Sequence, residues 1–264
     1  MPRYKRVVII VLGLIFALII SGAVFIRQHY VVPILMYHSV APEANPENRI
    51  CVSAQTFQRQ MRFLKSRHYH VLPLEEIAAL IKEKKRLPPR TVAITFDDGY
   101  KDTYLYAFPV LRKYNFPATM FIIINEVGRM QDDRLSWEQI KIMQDSGLIN
   151  FGSHALGPGL LVEIKSDGEL KREIFDSKKI LEQKLGRQVL AFSYPEGRFN
   201  DKIKELVAEA GYKFAVVTNP GKDSADDDIF ALKRLRISEN CRNLFVFWVE
   251  TSGFYNFMRE HRHR

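Results

Sequence analysis

The chain has 264 residues, 47% of them apolar, and carries 39 Lys and Arg against 30 Asp and Glu, a net charge of +9. That apolar share supports a packed core and excludes general disorder, and the length suits one domain with an appendage. Arg3, Lys5, Arg6 and Arg27 supply four of the positive charges from a stretch without acids; the rest form no dense basic stripe, which speaks against nucleic acid and for solubility or nearness to anionic envelope polymers.

Residues 1–6 are a short basic terminus. Residues 7–26 follow as an uncharged apolar run of 20 residues, long enough to cross a bilayer and without the polar face a surface helix needs. The basic residues before it orient the N-terminus to the cytoplasm and the bulk of the chain outside. Ser21-Gly22-Ala23 is a feasible cleavage site for a signal peptide, but the run is longer than a usual signal core, which favours an uncleaved anchor. Residues 27–31 read as a linker, 32–250 as the main domain and 251–264 as a basic C-terminal tail.

Within the domain, Ile34 to Tyr37 reads as a strand ending at His38, and Ala41 to Val52 as a loop. Ser53 is placed to cap a helix with Phe57, Met61 and Leu64 on one face. A strand near Tyr69 to Leu72 and a helix from Leu74 to Lys84 lead to Pro88-Pro89, which break the chain. Val92 to Phe96 is a short apolar run of buried-strand type, and it stops abruptly at Asp97-Asp98-Gly99. A helix over 102–114 and a strand over 118–124 come next. Ser136 caps a helix, Asn150 to Ser153 forms a strand ending at His154, and Ser166 opens a long helix that runs to Gly186. Val189 to Tyr194 is a strand, Asn200 caps a helix closed by Gly211, and Phe214 to Thr218 is a strand. The acidic stretch 223–228 is a loop, Leu232 to Ile237 a last strand, and Asn243 to Glu250 a helix. Strands alternate with helices throughout, which predicts a parallel sheet with right-handed crossovers. Cys51 and Cys241 permit one bridge, but nothing in their spacing shows that they meet.

Asp97 and Asp98 stand where α/β folds gather their chemistry, at the C-terminal end of a strand. Adjacent carboxylates repel unless a cation or shared proton intervenes, so one suits a metal and the other a base. His38, His154 and Tyr194 also fall at predicted strand ends, on the same rim. Taken singly, each has a plainer reading: Asp98-Gly99 as a turn, either histidine as a satisfied structural residue, Tyr194-Pro195 as a rigid loop.

Thr95-Phe96-Asp97-Asp98-Gly99-Tyr100 resembles the first motif of the polysaccharide deacetylases, the NodB-homology domain of carbohydrate esterase family four. Pro33 to Val40, Phe116 to Phe121, Gly152-Ser153-His154 and Phe192 to Gly197 resemble further segments of that family in the right order. Pro33 to Val40 points to the branch that acts on extracellular poly-N-acetylglucosamine. The resemblance implies a distorted, incomplete (β/α) barrel and a hydrolase that removes N-acetyl, or O-acetyl, groups from an envelope polysaccharide. It implies Asp97 as catalytic base, and Asp98 and His154 as ligands of a divalent metal ion, with zinc the first choice. It further implies His38 as the acid for the departing amine, a backbone N–H at Tyr194 for the oxyanion, and Tyr194 and Pro195 against the substrate. The family's second ligand histidine is absent, because Pro158 and Gly159 occupy its positions; Glu163 and Asp167 lie further along as substitutes. An inactive glycan-binding module on the same scaffold, and a hydrolase of another ester or amide, are the competing expectations.

Overall fold

A computed structural model of the chain describes residues 2–28, 31–85, 87–129, 133–218 and 228–253. Helix α1 (Arg3–Gln28) contains the one stretch among them long and apolar enough to cross a membrane, and none of it is buried against the rest. The chain then enters strand β1 (Ile34–Tyr37), followed by β2 (Ser39–Ala41), β3 (Cys51–Ser53), α2 (Ala54–Ser66), β4 (His70–Val71), α3 (Leu74–Lys82) and β5 (Thr91–Phe96). Next come a π-helical turn at Thr103–Ala107, α4 (Phe108–Tyr114), β6 (Ala118–Ile122), α5 (Trp137–Asp145), β7 (Ile149–Ser153) and α6 (Asp167–Leu185). The order ends with β8 (Ala191–Ser193), α7 (Asp201–Glu209), β9 (Phe214–Val217), β10 (Leu232–Lys233), β11 (Leu235–Arg236) and α8 (Leu244–Thr251).

All strand pairings are parallel, in the order β10-β9-β8-β7-β6-β5-β1-β11, with β4 on the lower part of the β5 edge whose upper part pairs with β6. The two ends of this order are nearly consecutive in sequence. Leu232 and Lys233 pair with β9, Leu235 and Arg236 pair with β1, and only Arg234 lies between. The sheet therefore curls into a nearly closed barrel, with its seam at one residue. The sequence predicts one continuous strand over 232–237; a buried arginine that must turn inward instead divides it.

Helix starts follow the sequence closely, because capping is local chemistry. Ser53, Ser136, Ser166, Asn200 and Asn243 each accept the expected backbone N–H, and Ser136 with Gln139 forms a full capping box. The predicted helix over 102–114 is divided. Pro109 has no N–H to return to residue 105, and the preceding turn widens so that the Phe108 N–H reaches the Thr103 carbonyl. The loop predicted over 41–52 contains part of a small parallel pair, β2 with β3. Cys51 and Cys241 are both buried and free, so no bridge forms. Most of the acidic stretch and of the basic tail, residues 223–227 and 254–264, lies outside the described residues.

Two layers of apolar side chains result. One fills the space between strands and helices, with Phe57, Met61, Leu111, Ile174, Leu181 and Val207 among its members. The other fills the barrel, where Ile34, Ala93, Phe121, Ala191, Val216 and Leu232 meet Leu74 and Ile77 of α3. The inner layer fixes which residues face the mouth, because side chains alternate along a strand.

Candidate active site

Alternation carries the inward row of each strand up to the rim. Ile34 and Met36 lead to His38, Ala93 and Thr95 to Asp97, Ala191 to Ser193, and Leu232 to Arg234. Gly152 leads to His154, and it must lack a side chain: a Cβ there would stand 2.6 Å from the Phe121 ring and 3.0 Å from the Ala191 carbonyl oxygen. Residues separated by most of the domain in sequence thus converge at one end of the barrel. Just beyond the ends of β5, β7 and β8 the chain turns through left-handed geometry at non-glycine residues, with φ of +67° at Asp98, +68° at Ala155 and +53° at Glu196. Such positions cost roughly 1–2 kcal/mol each, and they concentrate where geometry serves a function.

Asp97 is 3% exposed and its carboxylate is gripped by Arg234, which is 1% exposed. Arg234 Nη1 donates to Oδ1 at 2.6 Å and Nη2 donates to Oδ2 at 2.6 Å. The guanidinium also donates to Thr95 Oγ1, Ser193 Oγ and the Val217 carbonyl, and it lies 5.3 Å from the centre of the Phe121 ring. Burial pushes the Asp97 carboxyl up, but the Arg234 charge, with His154 and His38, outweighs it and brings its pKa down to about 2. Sequence reasoning missed Arg234. In sequence it stands among other basic residues, Lys233 and Arg236, and Arg236 is exposed, so only the need of a buried carboxylate for a cation could have pointed to it.

Asp98 and His154 meet beside this pair. His154 Nδ1 lies 2.7 Å from the Ser193 carbonyl oxygen, an acceptor only, so Nδ1 carries a proton and Nε2 faces Asp98. Nε2 stands 3.4 Å from Asp98 Oδ1. Burial opposes charging the His154 ring, yet Asp98 and Asp97 together raise its pKa; Asp98, in turn, is lowered by His154 and His38 against its own burial. His38 is 9% exposed, and its Nδ1 is buried with no hydrogen-bond partner. Burial lowers its pKa, although Asp97 and Asp98 act the other way.

Tyr194 and Pro195 do not join this group. The Tyr194 side chain is fully buried and stacks on Phe199 with 4.7 Å between ring centres, facing the outer layer. Its backbone N–H donates to the Val216 carbonyl at 3.2 Å, so the N–H that the resemblance assigns to an oxyanion is already spent in the sheet. Pro195 is buried at the head of a short 3-10 turn over Pro195–Gly197. The expected substitutes for the missing histidine are also elsewhere: Asp167 pairs with Lys202 on the surface, and Glu163 sits in a separate short turn. The loop after His154 is held by Glu173, whose carboxylate accepts the N–H groups of Leu156 and Gly157.

The donor set fits a divalent cation at two positions. A 3.4 Å separation between Nε2 and Oδ1 is close to the spacing of about 3.3 Å between two donors that each lie about 2.0 Å from a tetrahedral ion. The Nδ1 bond to Ser193 is the outer support that orients a ligating imidazole. Among the described residues no third His, Cys, Asp or Glu completes a cluster of three.

The comparisons agree with this geometry. The model of the family described as polysaccharide deacetylase matches residues 84–215. YxkH of Bacillus subtilis (strain 168), provisionally named a polysaccharide deacetylase, is 35% identical over 206 residues, which are 78% of this chain and 71% of that protein. The poly-beta-1,6-N-acetyl-D-glucosamine N-deacetylase of Staphylococcus epidermidis is 31% identical over 213 residues, 77% of this chain and 73% of its own. Among solved structures, the Streptococcus pyogenes deacetylase PplD in complex with acetate superposes with a TM-score of 0.73 at 32% identity, over 82% of this chain and 97% of that one. By sequence, by fold and by the strand-end Asp97-Asp98 pair, the chain belongs to the polysaccharide deacetylase family, whose members are hydrolases acting on carbon–nitrogen bonds.

Proposed function

We propose that this chain is a metal-dependent N-deacetylase of a poly-N-acetylglucosamine-type polymer outside the cytoplasm, anchored to the membrane by α1. The observation that carries the reading is the adjacency of two differently treated carboxylates. Asp97 is neutralised by Arg234, while Asp98 is left to pair with His154. The name of the Staphylococcus epidermidis relative supports the choice of polymer.

Asp98 Oδ1 and His154 Nε2 are the atoms that would hold the cation. When bound, it supplies a Lewis acid that acidifies its water and polarises the acetyl carbonyl. Asp97 is ionised at neutral pH, and each of its oxygens keeps a lone pair beyond the one given to Arg234, so it can accept a proton from the attacking water. A carboxylate with a pKa near 2 is a weak base, so the water it serves must itself be acidic, which is consistent with a cation in the neighbouring seat. His38, its Nδ1 unpaired and the two aspartates close enough for their charges to act on it, carries a proton to the amine as the C–N bond breaks. The products are acetate and a free amino sugar.

The test uses the full chain in detergent, stripped with chelator and reloaded with zinc, cobalt or manganese. Acetate release from N-acetylated β-1,6 and β-1,4 glucosamine oligomers is expected only after reloading. Asp97→Asn should reduce it by a factor of about 10²–10⁴ while retained metal, read by elemental analysis, stays unchanged. Asp98→Ala should lose both metal and activity. Metal-replete chain that releases no acetate from this panel ends the catalytic reading. Saccharide binding indifferent to chelator and to Asp98→Ala would then establish a glycan-binding module, the reading favoured by the missing third ligand.

A further inference from the structure

Helix α8 is built the wrong way round for a surface helix. Its buried face carries Phe247 but also Glu250 and Thr251, whereas Phe245, Val246 and Trp248 are 66%, 38% and 48% exposed. Leu244 to Val249 contains no polar residue. Phe245 and Trp248, three residues apart, stand side by side with ring centres 5.7 Å apart. An amphipathic helix in water shows the opposite distribution.

The position of α8 in the chain says what covers this face. The helix ends at Thr251, and the Val31 N–H donates to the Gly253 carbonyl at 3.0 Å. Val31 lies three residues beyond Gln28, the last residue of α1. Three residues reach at most about 10 Å. An eight-residue helix is about 12 Å long, so its exposed aromatic pair stands within a short span of the point where α1 leaves the domain. Trp is the side chain most favoured at the boundary between headgroups and hydrocarbon, and Phe and Val provide the apolar contact. The chemistry on either side is basic: Arg242 is exposed just before the helix, and residues 254–264 contain Arg259, Arg262 and Arg264 against the single acid Glu260.

We propose that the Phe245–Trp248 face of α8 rests on the lipid bilayer, in the headgroup–hydrocarbon boundary, as a second and interfacial contact beside α1. The proposal rests on the reading of α1 as an uncleaved anchor. It gives the domain a second point of attachment beside the entry to β1, the end of that strand opposite His38.

The chain has two tryptophans, which makes the test direct. Full-length Trp137→Phe chain, with Trp248 as its sole tryptophan, is reconstituted at one copy per nanodisc of phosphatidylcholine and phosphatidylglycerol. Lipids brominated near the headgroup should quench Trp248 strongly, and those brominated near the chain end less. The reciprocal Trp248→Phe chain, which reports Trp137 on α5, should be unaffected by either. Both are aromatic-for-aromatic exchanges, and far-ultraviolet circular dichroism checks the fold. A chain that stays with the nanodisc while Trp248 goes unquenched, or is quenched no more than Trp137, overturns the α8 contact and leaves the anchor standing. A chain that separates from the nanodisc on flotation overturns both. A blue shift of Trp248 that follows protein concentration in detergent, and is not deepened by lipid, assigns the face to a second copy of the chain and overturns the proposal.

Discussion

Replacing Arg234 with methionine is the sharpest perturbation of the site. The change keeps length and volume, removes two 2.6 Å charge-assisted bonds and leaves the Asp97 carboxylate 3% exposed with no countercharge in direct contact. Breaking a buried pair in this way costs about 3–5 kcal/mol, most of it the penalty of the stranded charge. Adding Asp97→Asn removes that charge, so the double variant should regain at least about 2 kcal/mol relative to Arg234→Met alone. The pH dependence has a definite sign. In the unaltered chain the Asp97 pKa falls from its ordinary 3.8 to about 2, so roughly 2 kcal/mol of stability is present above pH 4 and is lost as pH falls through 2. Without Arg234 burial dominates, the carboxyl titrates above its ordinary value, and the acid limb of the stability curve moves up in pH. Urea unfolding of the detergent-solubilised chain from acid to neutral pH, followed by circular dichroism, measures both effects. Equal stability of the single and double variants, or an acid limb that does not move, would refute the reasoning.

Glu250 should act in the opposite direction. Burial raises its pKa from 4.5 to about 7, only partly offset by the Cys241 thiol that donates to it at 3.0 Å. Its contribution is complete below pH 4.5 and is lost as pH rises through 7, a change of roughly 3 kcal/mol that Glu250→Gln should abolish; a variant with the same slope as the unaltered chain counts against this. Gly197→Ala should lower stability by about 2–4 kcal/mol through overpacking and left-handed strain. The residue has φ +70°, and a Cβ would collide with Thr218 Oγ1 and fall 2.5 Å from the Thr218 nitrogen. Thermal unfolding measures it, and an unchanged midpoint would show that the turn yields freely.

What could be read from the sequence was what depends on neighbours in the chain. Ser136 with Gln139, and Asn200 before α7, announce helix starts because a cap involves residues three apart. The placement of His38 and Asp97 at strand ends could be read because each follows an apolar run that stops abruptly, and that of His154 because it follows the short segment Asn150 to Ser153. The chemistry at Tyr194 could not, since whether its N–H is free depends on the register of β8 against β9. Arg234 was illegible for the same reason: its partner stands 137 residues earlier, and its own surroundings, Lys233 and Arg236, suggest a solvated edge. The Glu173 clamp on the loop after His154 likewise links residues that no local pattern connects.

The seam at Arg234 also sets an order of events. A chain made from its N-terminus presents Asp97 long before the residue that neutralises it has emerged. Until 232–236 docks between β9 and β1, the barrel is an open sheet whose edge strands β9 and β1 lack a partner and whose Asp97 lacks its countercharge. Completing the site and closing the barrel are therefore one step. A product that ends before that segment lacks at once the strand that joins β9 to β1 and the cation that balances Asp97.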